Sequence, residues 1–140
     1  MQTPNEPTTA ESDETVIEEY VLDVRIVEYD GEDGPRYRFE APEHCEVTFE
    51  DPDLARLYAD VYFDANGFQE EGTGEFGVPP AIIQAGRDTL VAYFLTQPYA
   101  DRNWIASFYG EKPEKIDRYV SRVRKRAASI REGVTERGIE

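Results

Sequence analysis

The apolar pattern of this 140-residue chain changes its period at Asp51-Pro52. Before that point, residues 16–29 contain an alternation of apolar and charged side chains, the period of two that is typical of a half-buried strand. After it, apolar residues recur every three or four positions, which indicates an amphipathic helix: Leu54, Leu57, Tyr58, Val61 and Ala65. Because strand-like and helical patterns occupy separate parts of the chain, we predict an α+β fold.

The part before Asp51 is predicted to be an N-terminal β-hairpin or three-stranded sheet. Residues 30–35, DGEDGP, form a turn signal, and residues 36–41 alternate again, so the two runs pair as a hairpin. Residues 44–50 are a candidate third strand. Residues 1–14 are polar and acidic with almost no apolar side chains, and we predict a disordered tail there.

Start and stop signals divide the rest of the chain into helices. Asp51 and Asp101 are good N-caps, Pro113 suits a first helical position, and Gly110 suits a helix end. Residues 68–78, rich in Gly and Glu, are predicted to be a loop. The predicted helices run from about residue 52 to 66, 79 to 97, 102 to 109 and 113 to 133, the last being a long C-terminal helix.

The composition describes an acidic globular chain. The net charge is −15 and the pI is near 4.4, with 39% hydrophobic residues. No apolar run approaches the roughly 18–20 residues of a membrane span, and the N-terminus has no apolar signal-peptide region. Cys45 is the only cysteine, which excludes an internal disulfide. We therefore expect a cytoplasmic protein without a membrane segment.

The chain combines many acidic residues with very few lysines. Only Lys112, Lys115 and Lys125 are lysines, while carboxylates are spread along the whole chain. In this respect the chain resembles proteins of halophilic archaea that accumulate salt in the cytoplasm. The resemblance implies that the net charge reflects a salty cytoplasm and does not exclude nucleic acid as a partner.

The charge is also distributed unevenly. Residues 1–111 carry 25 acidic and 6 basic side chains, whereas residues 112–137 carry 9 basic and 4 acidic ones. Such an inversion predicts a local anion-binding surface on the last helix.

The segment 104–126, WIASFYGEKPEKIDRYVSRVRKR, resembles the helix-turn-helix of LuxR-type and sigma-factor region 4 regulators. It departs from their pattern at Lys112, where a capping Ser or Thr is usual, and at Lys115, where Thr is usual. The resemblance implies a tri-helical DNA-binding unit whose last helix enters the major groove. The matching positions are Ile105-Ala106, Phe108 or Tyr109, Gly110, Ile116, Tyr119-Val120 and Arg122-Val123-Arg124.

The last helix separates an apolar side from a basic side. Ile116, Tyr119, Val120, Val123, Ala127 and Ile130 fall on one face at 100° per residue. We expect Arg118 and Arg122, one turn apart, to contact guanine, and lysines to contact phosphates, with Arg126 and Arg131 as weaker candidates. The full set of predicted DNA-binding residues is Lys112, Glu114, Lys115, Arg118, Ser121, Arg122, Lys125 and Arg126.

Other interpretations of the same helix stay open. In one of them, the helix packs on the core and its basic face contacts only water. The 4-3-4 spacing of Ile116, Val120, Val123, Ala127, Ile130 and Val134 resembles the a/d positions of a coiled coil, so residues 127–134 or the N-terminal hairpin are candidates for pairing with a second copy. Without DNA binding, the chain would be an acidic interaction adaptor or anti-repressor that uses this helix. Tyr93, Tyr99, Trp104, Phe108 and Tyr109 are expected to form an aromatic core, with stacking on unpaired bases as an alternative.

Catalytic and cofactor motifs give no support for an enzyme. The G-x-G-x-x-G at residues 72–77 follows acidic residues instead of a buried strand, which argues against a dinucleotide site. His44 and Cys45 are adjacent, so on a strand they would point to opposite faces, and no Cys- or His-based metal site is expected. We predict no cofactor and no metal.

The predicted organisation follows. Residues 1–14 are a tail, 15–78 form a hairpin-plus-helix part for dimerisation or sensing, 79–133 form the DNA-binding part, and 134–140 are a flexible end. The predicted function is sequence-specific binding of double-stranded DNA by a homodimer, in transcriptional regulation or in a replication or plasmid role. No effector or operator is indicated.

Overall fold

The computed structural model describes residues 14–69 and 78–138. The fold is α+β, as predicted: an antiparallel sheet is followed by helices, the last of them long. The predicted tail (except Glu14) and the G-x-G-x-x-G segment lie outside the described residues. The strands are β1 (Thr15–Glu19), β2 (Arg25–Gly31), β3 (Gly34–Glu40) and β4 (Val47–Phe49), and the helices are α1 (Pro52–Asp64), α2 (Pro80–Ala85), α3 (Arg87–Leu95), α4 (Arg102–Tyr109) and α5 (Pro113–Arg137).

The sheet has four strands in the order β1-β2-β3-β4, which corrects the prediction of two or three. Residues 16–29 do not form one strand: the chain reverses between β1 and β2, where Leu22 and Asp23 have φ of 62° and 61°. The period of two continues on both sides of this turn, so alternation alone does not reveal it. The predicted hairpin is confirmed as β2 and β3, in register from Arg25 with Glu40 to Gly31 with Gly34.

Helix α1 covers one face of the sheet. Asp51 caps it, accepting a 2.8 Å hydrogen bond from the backbone N–H of Asp53. Helix α1 contacts β3 and β4 on one side, and α3 and α5 on the other. One cluster of buried side chains runs through the whole arrangement, from Ile26 and Phe39 of the sheet to Ile116 and Val123 of α5.

Two helix boundaries differ from the prediction. The expected helix over residues 79–97 is divided into α2 and α3 at Gly86, whose φ of 117° is accessible to glycine and breaks the helical path. The last helix continues past Gly133 to Arg137 and ends at Gly138, which is left-handed with φ 67°. Residues 134–137 are therefore helical, and Val134 is buried.

The C-terminal half of α5 borders a groove. The end of α1, the turn between β1 and β2, and α5 enclose a volume of about 600 Å³, with Leu22 and Phe63 facing Ile130 and Val134. Arg131 of α5 also lies over the ring of Tyr20, 5.0 Å from its centroid. The long helix thus contacts the sheet side of the molecule at one end and the other helices along its length.

Candidate nucleic-acid interface

Helices α4 and α5 are joined by the tight turn that the sequence indicates. The Asp101 carboxylate accepts a 2.8 Å hydrogen bond from the backbone N–H of Trp104 and so caps α4. Gly110 ends that helix in the left-handed conformation, with φ 66° and ψ 34°. Pro113 begins α5, and the Lys112 side chain makes no capping hydrogen bond, as its replacement of Ser or Thr predicts. The predicted end of α4 at Gly110 and the predicted start of α5 at Pro113 are confirmed.

The apolar face of α5 is used within the chain. Ile116, Tyr119, Val123, Ala127 and Val134 are buried, and Val120 and Ile130 are half-buried. Helix α5 packs these residues against α1, α3 and α4. The pairing of residues 127–134 with a second copy as a coiled coil stays a prediction, and the packing does not favour it, because Ala127 and Val134 lie in this chain's core and Ile130 is half-buried.

The basic residues of α5 divide into paired and unpaired groups. Arg126 donates hydrogen bonds to Asp64 and to Asp88, and Arg124 and Arg131 both bind the buried carboxylate of Asp60 at 3.2 and 2.9 Å. These contacts join α5 to α1 and α3. Arg126, a predicted DNA contact, and Arg131 therefore have structural partners.

The carboxylates in these pairs respond to their surroundings in opposite ways. Burial raises the pKa of Asp60 above its ordinary value, and the hydrogen bond from Arg131 does not compensate. Burial is the largest single effect on Asp88 and acts to raise its pKa, but the hydrogen bond and the charge of Arg126, together with backbone N–H hydrogen bonds, outweigh it, and that pKa lies below its ordinary value. The same contacts with Asp64 and Asp88 raise the pKa of Arg126. The Arg126 pair is thus the better compensated of the two.

Lys115 occupies an intermediate position. Its Nζ lies 3.4 Å from a carboxylate oxygen of Glu111, and it is half-buried beside the Tyr119 ring, 5.8 Å from the centroid. Glu111 also faces Arg87, at 4.0 Å. Lys115 is therefore held at the edge of the basic face, with its charge partly balanced.

Four predicted contacts form an exposed set without ion pairs, which we call the open basic face: Lys112, Arg118, Arg122 and Lys125. None of them lies within ion-pairing distance of a carboxylate in residues 14–69 and 78–138. The remaining predicted residues, Glu114 and Ser121, are also exposed on α5. The structure thus places five of the eight predicted residues on the solvent side of the first half of α5, and a sixth, Lys112, at its N-cap. The bases that do have ion-pair partners are Arg25, Arg36, Arg38, Arg56, Arg87, Arg102, Lys115, Arg124, Arg126 and Arg131.

Three aromatic residues predicted to be core are exposed. Trp104 is 44% exposed and Phe108 is 57% exposed on α4, and Tyr99, just before that helix, is 51% exposed. This corrects the expected aromatic core, of which Tyr93 is buried and Tyr109 half-buried. The helical spacing carried the missing signal: Ile105 and Ala106 face inward, so Trp104 and Phe108, one turn apart, share the outward side.

His44 has a structural role. Its Nδ1 lies 2.8 Å from the carbonyl oxygen of Phe68, which only accepts, so Nδ1 donates this hydrogen bond. Nε2 lies 2.8 Å from the Tyr58 hydroxyl, to which it is also hydrogen-bonded. Cys45 is exposed, whereas the His44 ring is buried and both of its nitrogens are bound to Phe68 and Tyr58.

Within the part of the chain that the structure describes, no three or more His, Cys, Asp or Glu side chains are grouped as a metal site. In the same ranges, no helix combines the length and the apolar character needed to cross a bilayer. Comparisons with protein-family models, curated proteins and solved structures found no match to this chain.

Proposed function

We propose that this protein binds double-stranded DNA sequence-specifically, with the first half of α5 in the major groove, and acts as a transcriptional regulator in a high-salt cytoplasm. The observation that carries the proposal is the open basic face. In a chain with a net charge of −15, Arg118, Arg122 and Lys125 share the exposed side of α5, with Lys112 at its N-cap. None of the four has a carboxylate partner among residues 14–69 and 78–138. Carboxylates are abundant enough to have neutralised them, as they neutralise most other bases of the chain.

The dimensions of this face suit the major groove. Arg118 and Lys125 are seven residues apart, a rise of about 10 Å along the helix. The major groove of B-DNA is about 12 Å wide and admits one α-helix. Arg118 and Arg122 lie one turn apart and are the side chains that would bind guanine O6 and N7. Lys125, one turn further along, and Lys112, at the N-cap of α5, would bind phosphates.

The salt dependence of such binding follows from the contacts. At 1 M salt the Debye length is about 3 Å, so long-range attraction and repulsion are both weak. The negative charge of the rest of the chain then does little to repel DNA. Affinity must come from direct Arg–base and Lys–phosphate contacts, and counterion release contributes less than at low salt.

The test is selection of binding sequences from a random duplex pool in molar KCl, followed by fluorescence anisotropy on the selected duplex. Arg118→Ala/Arg122→Ala should weaken binding at least about tenfold, since one good bidentate arginine–guanine contact is worth about 1–3 kcal/mol. The matched control is Arg25→Ala/Arg36→Ala, which makes the same change in charge on the sheet. Equal binding by the two double variants, or no sequence preference at any salt concentration, would contradict the proposal.

The adaptor hypothesis has a weaker basis. It relies on coiled-coil pairing of the long helix, and the a/d side chains of that helix are buried or half-buried in the chain. Exposing them would remove Ile116 and Val123 from the core. The helix therefore offers its basic face, and not its apolar face, to a partner.

A further inference from the structure

The exposed aromatic residues of α4 form one continuous surface. The rings of Trp104 and Phe108 are stacked, with centroids 5.4 Å apart and planes 10° from parallel. Tyr99 meets Trp104 edge-on, at 6.4 Å and 83°. We call these three residues the aromatic surface. Each such side chain has 150–250 Å² to bury, so about half exposure leaves on the order of 300 Å² open to water. A patch of this size marks an interaction site in many soluble proteins.

The aromatic surface lies in the least charged part of the chain. Between Thr89 and Gly110 the only acidic residue is Asp101, in a chain that has 30 acids. Its carboxylate is engaged in capping α4. The scarcity of acids in this stretch favours contact between two acidic molecules, since like charges buried opposite one another would oppose it.

From these observations we infer that the aromatic surface is where a second copy of this chain docks. Two copies each carry a net charge of −15 and repel one another over most of their surfaces. At the aromatic surface they meet without that repulsion. A two-fold contact uses the same patch on both copies. With two α4 helices antiparallel, Trp104 of one copy packs against Phe108 of the other.

Single-stranded nucleic acid is the competing occupant of such a surface, and the charges disfavour it. Stacking of unpaired bases is accompanied by cations that follow the phosphates. The bases near α4 are Arg87, Arg102, Lys112 and Lys115. Arg102 is bound to Asp117 through two hydrogen bonds of 2.8 Å, and Arg87 and Lys115 share the carboxylate of Glu111. Of these four, Lys112 alone has no carboxylate partner among the described residues, and a single cation does not make the basic groove that a single strand requires.

Two other self-association surfaces expected from the sequence are less suited. The apolar stripe of α5 is buried in its own chain. One edge of the sheet is β1, and it carries Glu19, which is exposed, and Glu18, which is bound to Arg56. In an antiparallel pairing of two such edges, carboxylates would face carboxylates. The aromatic surface has neither obstacle.

The exposed area of the aromatic surface determines how tightly two copies are expected to bind. A standard interface buries about 800 Å² per partner, well above the aromatic surface alone. The dimer is therefore weak, with a dissociation constant in about the micromolar range, and it strengthens as salt screens the net charges. DNA binding has the opposite salt dependence. The inference does not rest on the proposed function, and the two salt responses distinguish them.

Trp104 is the only tryptophan, so its emission reports on this surface directly. The experiment measures emission and sedimentation equilibrium of the full chain without nucleic acid, from about 1 to 500 μM, in low and molar KCl, the range bracketing a micromolar dimer. The wild type should form dimers, and its emission should shift to the blue with concentration. Phe108→Ala keeps the probe and should weaken dimerisation about tenfold. The control is Ile83→Ala, at an apolar residue of α2 with 46% exposure, which should dimerise as the wild type does.

Three results would overturn the inference. One is a wild type that stays monomeric at every concentration and salt. Another is dimerisation that Phe108→Ala leaves unchanged, which would place the interface elsewhere. The third is a monomer whose Trp104 emission responds only to an oligonucleotide such as oligo-dT, which would assign the surface to unpaired bases.

Discussion

Arg126 donates two parallel hydrogen bonds to the carboxylate of Asp64, from Nε at 2.7 Å and from Nη2 at 2.9 Å. The Asp64 side chain is only 3% exposed, at the end of α1. The remaining nitrogen, Nη1, donates to Asp88 of α3 at 2.9 Å. One guanidinium of α5 thus joins three helices, and part of the basic charge in residues 112–137 serves this purpose rather than a ligand.

Replacing Arg126 by Ala should therefore destabilise the fold. The change leaves a buried carboxylate without its charged donor, which we expect to cost about 2–3 kcal/mol of unfolding free energy. Urea unfolding at constant KCl measures it. Arg122→Ala removes the same charge from the exposed face and should change stability by no more than about 0.5 kcal/mol. Similar losses for both variants would mean that Arg126 is not an anchor.

Asp88→Asn should lose stability in a pH-dependent manner. The pKa of Asp88 in the folded chain is lowered from 3.8, so its ionised form contributes stability above pH 3.8 that disappears as pH falls through the lowered pKa. At pH 7 we expect a loss of about 1–2 kcal/mol, since a charge-assisted hydrogen bond is removed. Urea unfolding from pH 7 to pH 3 should show wild type and variant converging in acid.

The stability effect of Asp60→Asn should change with pH in the opposite direction to that of Asp88→Asn. The pKa of Asp60 is raised, so its protonated form is favoured in the folded state, and that contribution is lost as pH rises through the raised pKa. Relative to wild type, the variant should become less destabilised from pH 3 to pH 7. A parallel trend for the two variants would be inconsistent with these directions.

The four cations of the open basic face should differ in what they contribute to DNA binding. Lys112→Ala and Lys125→Ala should weaken binding to all duplexes by similar factors and reduce the salt slope by about one each. Arg118→Ala and Arg122→Ala should weaken the selected duplex more than a random one, by about 1–3 kcal/mol each. Anisotropy titrations with both duplexes at three KCl concentrations separate the two behaviours. A uniform effect of all four changes would make the binding non-specific.

Substitution by alanine should change the stability of the protein in opposite directions at two glycines. Gly110 has φ 66°, so Gly110→Ala forces a left-handed alanine and should cost about 1–2 kcal/mol. Gly133 lies inside α5 and a Cβ there would meet only the Arg137 guanidinium, at 4.0 Å. Gly133→Ala should stabilise the protein by about 0.5–1 kcal/mol. Thermal melts of the two variants in the same buffer give both signs.

Sequence reasoning succeeded where the signal is local. The Asp101 cap, the Gly110 stop and the Pro113 start lie within a few residues of the boundaries they set, and all three are observed. The period of 3.6 also identified the buried side of α5. The turn at Leu22 and the break at Gly86 were missed because neither interrupts the apolar pattern.

What the sequence did not reveal is pairing between distant residues. Arg126 and Asp64 are separated by 62 positions, and nothing in either neighbourhood distinguishes Arg126 from Arg122. Only after folding is one guanidinium placed against α1 and the other in water. The aromatic surface was missed for a related reason. Large apolar side chains are expected in the core, so Trp104 was predicted to be buried because it is apolar, although its position on the helical face of α4 places it outward.

Helix α5 is a rigid rod about 37 Å long, with no hinge along its 25 residues. Its first half carries the open basic face, while its last turns lie beside the Tyr20 ring and the turn between β1 and β2. Because the helix is continuous, a displacement of the end beside this turn would tilt its whole axis. The packing of the last turns of α5 against the β1–β2 turn therefore sets the angle at which the basic side chains of its first half are presented.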